Sequence, residues 1–126
     1  MITIDEIKQR LSSFGYAVNS NDTFALTFLM RKVERHIEHL CNVNEVPDGL
    51  DQVCVDIVCG EFLTEKKATG QLTDEQMIEV VKRIQDGDTT VEMAGTSDAN
   101  AIYDAFVNRL TNSYEDDIIR YRRLVW

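Results

Sequence analysis

The sequence predicts a small all-α bundle of about four to five helices, with a short β-hairpin or extended loop inserted before the C-terminal helix. Apolar side chains recur at spacings of three and four along most of the chain, which is the period of an amphipathic helix. Turn signals rich in Gly, Asn and Asp separate these periodic segments. With 126 residues, the chain has the length of one domain, which we expect to span residues 1 to 126.

Composition narrows the class of protein. The chain is 44% hydrophobic and 28% charged, as in an ordinary soluble globular domain. Its net charge of −9 disfavours general binding to nucleic acid backbones, which depends on surplus Lys and Arg. No apolar stretch approaches the roughly 18 residues needed to cross a bilayer, and the first residues lack the pattern of a secretory signal. We therefore expect a cytosolic protein that does not bind membranes.

The first two predicted helices follow recognisable polar starts. Thr3 and Glu6 form a capping box, in which each side chain can satisfy the backbone amide of the other residue. A short helix is predicted to follow over about residues 4 to 13. After a polar turn, a long second helix is predicted over residues 22 to 41, with an apolar stripe formed by Leu26, Met30, Val33, Ile37 and Leu40.

Proline and glycine mark the limits of the third predicted helix. Pro47 opens it. A backbone N–H in the first turn has no partner within the helix, so proline, which lacks this group, is tolerated there. Gly70 ends the helix. Its stripe is formed by Leu50, Val53, Cys54, Ile57 and Val58. Thr73 and Gln76 form a second capping box, which predicts a helix from about residue 74 to 81 or further.

Turn and strand signals interrupt the helical pattern before the last helix. Asp86-Gly87-Asp88 is a turn signal, and the alternation of Thr89, Val91 and Met93 with polar residues is typical of a strand. We therefore predict a hairpin or extended loop over residues 81 to 94. A single last helix is predicted to follow, with Tyr121 packed internally, from the spacing of Ile102, Phe106, Leu110, Tyr114, Ile118, Tyr121 and Val125.

Histidines and cysteines suggest a zinc site, but their spacing does not support one. His36, His39 and Cys41 lie near the end of the second helix, and Cys54 and Cys59 lie in the third. At about 100° per residue, Cys41 points about 200° away from His39, and the other two cysteines do not converge. The pattern favours buried, reduced thiols and surface histidines, so we expect no metal and no cofactor.

Enzyme motifs are also missing from the sequence. It contains no glycine-rich phosphate loop and no G-x-S-x-G motif. The acidic residues between Asp86 and Glu92 resemble the start of a calcium loop, but the glycine and the bidentate glutamate that such a loop requires are absent. We therefore expect a protein that is not an enzyme.

The end of the chain combines positive charge with aromatic side chains. Residues 118 to 126 carry three arginines and no acid, whereas residues 1 to 117 carry 10 bases and 22 acids, a net charge of −12. Arginine and large aromatic residues dominate the energy of many protein interfaces. We predict that Arg120, Arg122, Arg123 and Trp126 dock onto a partner.

These features together resemble a known family. The sequence is similar to that of the head-tail connector (head completion or adaptor) proteins of long-tailed bacteriophages and prophages. Four parts of the chain carry the similarity: residues 2 to 8, the helix that Pro47 begins, the segment Ile84 to Met93, and the Arg-Tyr-Arg-Arg run at 120 to 123. The resemblance covers nearly the whole chain. The sequence departs from it at Leu124 and Val125, where another basic residue is expected.

The resemblance implies a virion structural protein. Such a protein assembles as a ring beneath the portal, joins the capsid to the tail and extends the DNA channel without binding DNA specifically. It further implies that the C-terminal residues contact the portal or a neighbouring subunit, that the tail or a tail-completion protein binds the ring, and that Asp86, Gly87, Asp88 and Glu92 belong to a channel-facing loop. The implied location is the head-tail interface of the virion, after assembly in the host cytoplasm.

The strong negative charge supports one alternative function. A small acidic protein can act as a DNA-mimic inhibitor or anti-repressor by binding a basic DNA-binding protein. Acids in this chain are interleaved with Lys and Arg along the helices rather than grouped on one side. That interleaving favours the connector over the regulator.

Overall fold

The computed structural model describes residues 2 to 87 and 99 to 122, and these residues fold into a helical bundle. Within those ranges there are six α-helices and no β-strand, which confirms the predicted all-α class. Short 3₁₀ turns at Ser20–Asp22 and Asp48–Leu50 lead into the second and third helices. The helices are α1 (Ile4–Ser13), α2 (Thr23–Cys41), α3 (Asp51–Ala68), α4 (Asp74–Gly87), α5 (Ala99–Asn112) and α6 (Glu115–Arg120).

Both predicted capping residues start helices. The Gln76 N–H donates to Thr73 Oγ1 at 3.1 Å, and the Thr73 N–H donates back to Gln76 Oε1 at 3.0 Å. At the start of α1, the Glu6 N–H donates to Thr3 Oγ1 at 3.2 Å, but the Glu6 carboxylate accepts from the Thr3 hydroxyl at 3.3 Å and not from its backbone N–H, so only half of this predicted box is formed. These bonds satisfy amides that have no partner within their own helix.

Helix α3 forms the centre of the bundle, and α1, α2 and α5 pack around it. Residues 54 to 60 of α3 are buried without interruption, so the helix is enclosed more fully than the predicted single stripe implies. Gly60 permits the close approach of α5, because a Cβ at this position would lie 2.9 Å from Leu110 Cβ and 3.2 Å from the Thr111 nitrogen. Any larger residue would push these two helices apart.

Helix α2 has one buried face and one exposed face. The predicted stripe is confirmed at Leu26, Val33 and Ile37, whereas Met30 is half-buried and Leu40 is exposed. Leu29 and Cys41 are buried in their place, so from Leu29 onward the buried positions advance by four residues at each step and turn slowly around the helix. Its fully buried positions are Leu26, Leu29, Val33, Ile37 and Cys41.

The fourth helix is longer than the sequence predicts. It continues to Gly87, so residues 81 to 87 are helical and the predicted hairpin or loop does not begin at residue 81. Val80, Val81 and Ile84 are buried, and α4 packs against α5. Burial of this apolar face outweighs the local turn signal at Asp86-Gly87. The rest of the predicted hairpin, residues 88 to 94, lies outside the described residues.

The predicted last helix is broken into α5 and α6 by Ser113 and Tyr114. The Ser113 hydroxyl donates to the Arg109 carbonyl, and the Tyr114 hydroxyl donates to the carboxylate of Asp56 in α3. Acidic residues 115 to 117 then occupy the first turn of α6, where they interact favourably with the helix dipole. The apolar period continues across this break, which is why the sequence alone predicts one helix.

A buried carboxylate fastens the start of α2 to the end of α3. Asp22 accepts hydrogen bonds from Tyr16 Oη at 2.9 Å and from the Asn19 N–H at 3.2 Å, and it pairs with Lys66 Nζ at 2.8 Å. Burial alone would raise the pKa of Asp22, but these donors, with Lys66 the strongest, lower it below its ordinary value. Asp22 therefore remains charged in the folded protein near neutral pH.

The carboxylate of Asp56, in α3, bonds to both α1 and the start of α6. It accepts from Arg10 Nε at 2.8 Å and from the Tyr114 hydroxyl. Burial, together with the hydrogen bond to Asp56, raises the pKa of Tyr114 to about 12. Tyr114 therefore stays protonated and keeps donating to Asp56, which holds the beginning of α6 against the body of the protein.

Candidate functional site

The chain near its C-terminus is anchored to the body at two points. Ile118 is buried, and its carbonyl accepts a hydrogen bond from the Cys41 thiol at 3.5 Å. Tyr121 lies over Gly49, where an added Cβ would approach the tyrosine hydroxyl to within 1.9 Å. The absence of a side chain at Gly49 thus makes room for Tyr121 against the turn that precedes α3.

Residues 119 to 122 form an exposed surface after the first anchor, which we call the C-terminal segment. Tyr121 belongs to this segment and also makes its second contact with the body. Ile119 is 63% exposed, and Arg120 and Arg122 are also exposed. Tyr121 is 42% exposed, so the prediction that it packs internally is wrong: its hydroxyl meets Gly49, but α6 ends at Arg120 and leaves much of the ring in solvent. The segment combines two cations, an aromatic ring and an aliphatic side chain.

Half of the predicted docking residues fall within the described ranges. Arg120 and Arg122 are present and exposed on the C-terminal segment. Arg123 and Trp126 lie outside the described residues. The positive charge of Arg122 acts on the Cys41 thiol and favours its ionisation, but burial has the larger effect and raises the pKa of Cys41. Cys41 is thus a structural thiol at the root of the segment.

Two of the four predicted channel-facing residues also fall within the described ranges. Asp86 and Gly87 belong to the last turn of α4, so at these two positions the backbone is helical and the prediction of a loop is wrong. Asp88 and Glu92 lie outside the described residues. Burial of the preceding apolar positions against α5 extends the helix to this point.

The cysteines and histidines occupy different environments. Burial raises the pKa of Cys54 and of Cys59 to about 12, and Cys41 is buried as well. His36 and His39 are exposed on α2. Within residues 2 to 87 and 99 to 122, no three His, Cys, Asp or Glu side chains are grouped so as to hold a metal ion. Such protonated, buried thiols are poor nucleophiles and poor ligands.

A groove that is open to solvent runs between α2, α3 and α5. Lys67 and Asp104 form an ion pair of 2.6 Å at its rim, and the Lys67 ammonium lies 5.3 Å from the centre of the Tyr103 ring. The Tyr103 hydroxyl donates to the Leu63 carbonyl at 2.8 Å, and burial raises the pKa of this tyrosine. These contacts join α3 to α5, so the polar groups of the groove stabilise the fold.

The exposed face of α2 is a second surface of unusual composition. Phe24 is 83% exposed and Phe28 is 61% exposed, and Arg31 and Arg35 continue the same line along the helix. Neither phenylalanine was singled out from the sequence as a surface residue. Their positions could have been found from the pattern, because residues 24 and 28 fall on the side of the helix opposite the buried stripe.

Comparisons of the chain with protein-family models, curated protein sequences and solved structures find no match. In the two described ranges, every helix is too short or too polar to span a membrane.

Proposed function

We propose that this chain is a virion structural protein of the head-tail connector class, which forms a ring under the portal, joins the capsid to the tail and extends the DNA channel. The observation that carries the proposal is the C-terminal segment, which presents Arg120 and Arg122 beside Ile119 and Tyr121 on an otherwise acidic body. The resemblance of the sequence to connector proteins supplies the partners: the portal, a tail or tail-completion protein, and further copies of the chain.

The chemistry of the C-terminal segment suits a protein partner. Guanidinium groups bind carboxylates through planar, paired hydrogen bonds, and exposed aromatic and aliphatic side chains gain free energy when a partner covers them. The anchors at Ile118 and Tyr121 hold the root of the segment in place. Less conformational entropy is then lost on binding than for a free chain end.

The charge of the whole chain suits passage of DNA without adhesion. A net charge of −9 provides few cations to replace the counterions of DNA, and replacement of those counterions drives non-specific binding. A channel wall built from such subunits would repel the phosphate backbone. The expected consequence is that the isolated protein binds duplex DNA weakly at physiological salt.

The decisive experiment reverses the charge of the C-terminal segment. In a phage whose genome encodes this chain, Arg120→Glu combined with Arg122→Glu should leave a folded protein and reduce tail joining, counted as filled heads without tails. The matched control combines Lys8→Glu with Gln9→Glu and Gln71→Glu, which makes the same total change in charge outside the C-terminal segment and outside α2 and α4. Removal of residues 122 to 126 is a second variant, and it spares Ile118, which belongs to the core.

The outcome separates the connector from the acidic regulator. Normal yields of tailed particles from both the charge-reversed and the truncated variants would contradict the proposal. Affinity purification from infected cells provides an independent measurement, with the portal as the expected partner. Capture of a basic DNA-binding protein in a salt-sensitive complex would instead identify the chain as a DNA-mimic inhibitor or anti-repressor.

A further inference from the structure

The exposed face of α2 has features that the bundle itself does not use. Phe24, Phe28, Arg31 and Arg35, which we call the α2 stripe, follow one another at spacings of four, three and four and so lie within an arc of about 60° on the helix. This arc is opposite the buried residues Leu26, Val33 and Ile37. In the described part of the chain, Arg31 and Arg35 make no ion pair or side-chain hydrogen bond.

Leaving such a stripe in water is unfavourable. A phenylalanine side chain exposes roughly 150 to 250 Å² that a partner could bury, and Phe24 and Phe28 are 83% and 61% exposed. Nothing in the packing of α2 on α3 requires aromatic residues at these two positions. Aromatic residues and arginines are also the side chains most enriched at the energetic centres of interfaces. The composition therefore points to a covering partner with apolar and acidic groups.

The exposed face of α4 presents apolar and acidic side chains of this kind. Glu75, Ile78 and Glu79, which we call the α4 stripe, lie on the side opposite the buried Val80, Val81 and Ile84. Ile78 is 56% exposed between the two glutamates. The nearest charged partner of Glu79 is Arg83 at 3.9 Å, an exposed pair of the kind that contributes little to stability.

We propose that the α2 stripe of one subunit docks on the α4 stripe of a second copy of this chain. The spacing of the charges supports an antiparallel register. Arg31 and Arg35 are four residues apart, as are Glu75 and Glu79, and each step spans about 6 Å along a helix. Pairing Arg35 with Glu75 and Arg31 with Glu79 places Lys82 opposite Phe28, where its ammonium can lie over the aromatic ring.

The two stripes belong to different parts of the subunit, so the contact is heterologous. Helix α2 packs on α3, whereas α4 packs on α5. A subunit that offers one stripe to each of two neighbours forms a head-to-tail chain, which closes into a ring when the rotation between subunits permits. The inference rests on the proposed function for its ring, although the contact itself is defined by the two stripes alone.

Sedimentation velocity of the purified protein over a range of concentrations at low salt tests the contact. The wild-type chain should associate as its concentration rises, and Arg31→Glu with Arg35→Glu should raise the dissociation constant by roughly tenfold or more. Glu75→Arg with Glu79→Arg should do the same. The matched control, Glu45→Arg with Glu65→Arg, makes the same charge change as Glu75→Arg with Glu79→Arg on exposed residues outside both stripes and outside the C-terminal segment, and it should associate like the wild type.

A mixture of the two stripe variants provides the sharpest outcome. Each variant alone carries two stripes of like charge, whereas in the mixture every contact again joins opposite charges, so association should return. A wild-type chain that stays monomeric at all concentrations would overturn the inference. Equal association by the Arg31→Glu, Arg35→Glu variant would also overturn it, as would a mixture that does not recover.

This result is independent of the test of the proposed function. If self-association follows the predicted pattern while Arg120→Glu with Arg122→Glu still supports tail joining, the stripe contact stands and the role of the C-terminal segment is lost. If tail joining depends on that segment but the protein does not associate through the stripes, the connector function stands and the ring uses another contact.

Discussion

The α2 stripe and the C-terminal segment present similar side chains on different supports. Both combine arginines with exposed apolar residues in a chain of net charge −9. The α2 stripe lies on a helix of 19 residues, whose opposite face is buried along its whole length. The C-terminal segment extends from a helix of six residues. The same chemistry is therefore displayed once on a rigid surface and once on a small attached element.

The anchors of the two surfaces differ in number and kind. Five buried side chains and the ion pair between Asp22 and Lys66 hold α2. Ile118, the Cys41 hydrogen bond and the contact between Tyr121 and Gly49 hold the other end of the chain. Elements with few buried contacts open locally at a lower free energy than the core does. We infer that the α2 stripe is preformed, whereas the C-terminal segment can adjust to its partner.

Truncating a core residue beneath the α2 stripe should have the largest effect. Ile37 is fully buried, and replacing it with alanine leaves a cavity, so Ile37→Ala should lower the free energy of unfolding by about 2 to 5 kcal/mol. Phe28→Ala on the same helix is the control, and its effect should stay within about 0.5 kcal/mol. Urea denaturation followed by circular dichroism measures both. Equal losses would mean that the stripe is part of the folded core.

Removing the charge of Asp22 should have a smaller effect that depends on pH. Asp22→Asn weakens the bonds from Lys66, Tyr16 and Asn19, at a cost of about 2 kcal/mol near neutral pH. The folded protein lowers the pKa of Asp22 below its ordinary value of 3.8. Its contribution is therefore complete above that value and is lost as the pH falls through the lowered pKa.

Unfolding experiments from neutral to strongly acidic pH provide the measurement for Asp22. The difference in stability between the wild type and Asp22→Asn should remain constant down to about pH 4 and then shrink in stronger acid. Ser20→Ala, an exposed change in the same turn, serves as a control with a flat profile. A difference that persists unchanged at the lowest pH would show that shape, and not charge, makes Asp22 important.

Local patterns in the sequence are sufficient to predict most of the helices. Hydroxyl and amide side chains at Thr3, Thr73 and Gln76 start helices by bonding to amides a few residues away, so a short window contains the whole signal. The end of α4 and the break at Tyr114 depend instead on partners far along the chain. Tyr114 bonds to Asp56, which is 58 residues away in sequence, and no periodicity at Tyr114 itself reports that contact.

The sequence predicts the two candidate surfaces to different degrees, because some of their features depend on local pattern and others on tertiary contacts. Positive charge near the C-terminus is visible in the composition, so Arg120 and Arg122 could be selected from the sequence alone. The helical period places Phe24 and Phe28 opposite the predicted stripe of α2, so the sequence contains the signal for their exposure, although phenylalanine is usually a core residue. The exposure of Tyr121 depends on the end of α6 and on the space above Gly49, both of which are set by tertiary contacts.

The smallest effect is expected from a pair of neighbouring residues at the root of the C-terminal segment. Ile118 is buried and Ile119 is 63% exposed, yet both have the same side chain on the same short helix. Ile118→Ala should lower the free energy of unfolding by about 1 kcal/mol, less than a central cavity does, because α6 can shift to fill the space. Ile119→Ala should change it by less than about 0.5 kcal/mol.

Hydrogen exchange at the Ile118 and Tyr121 amides, which bond to the Tyr114 and Ile118 carbonyls, reports local opening of α6. Exchange that accelerates in Ile118→Ala, with α3 amides unchanged, is expected if the segment is an independently opening element. If α3 amides accelerate equally, α6 unfolds together with the core, and the contrast between the two surfaces disappears.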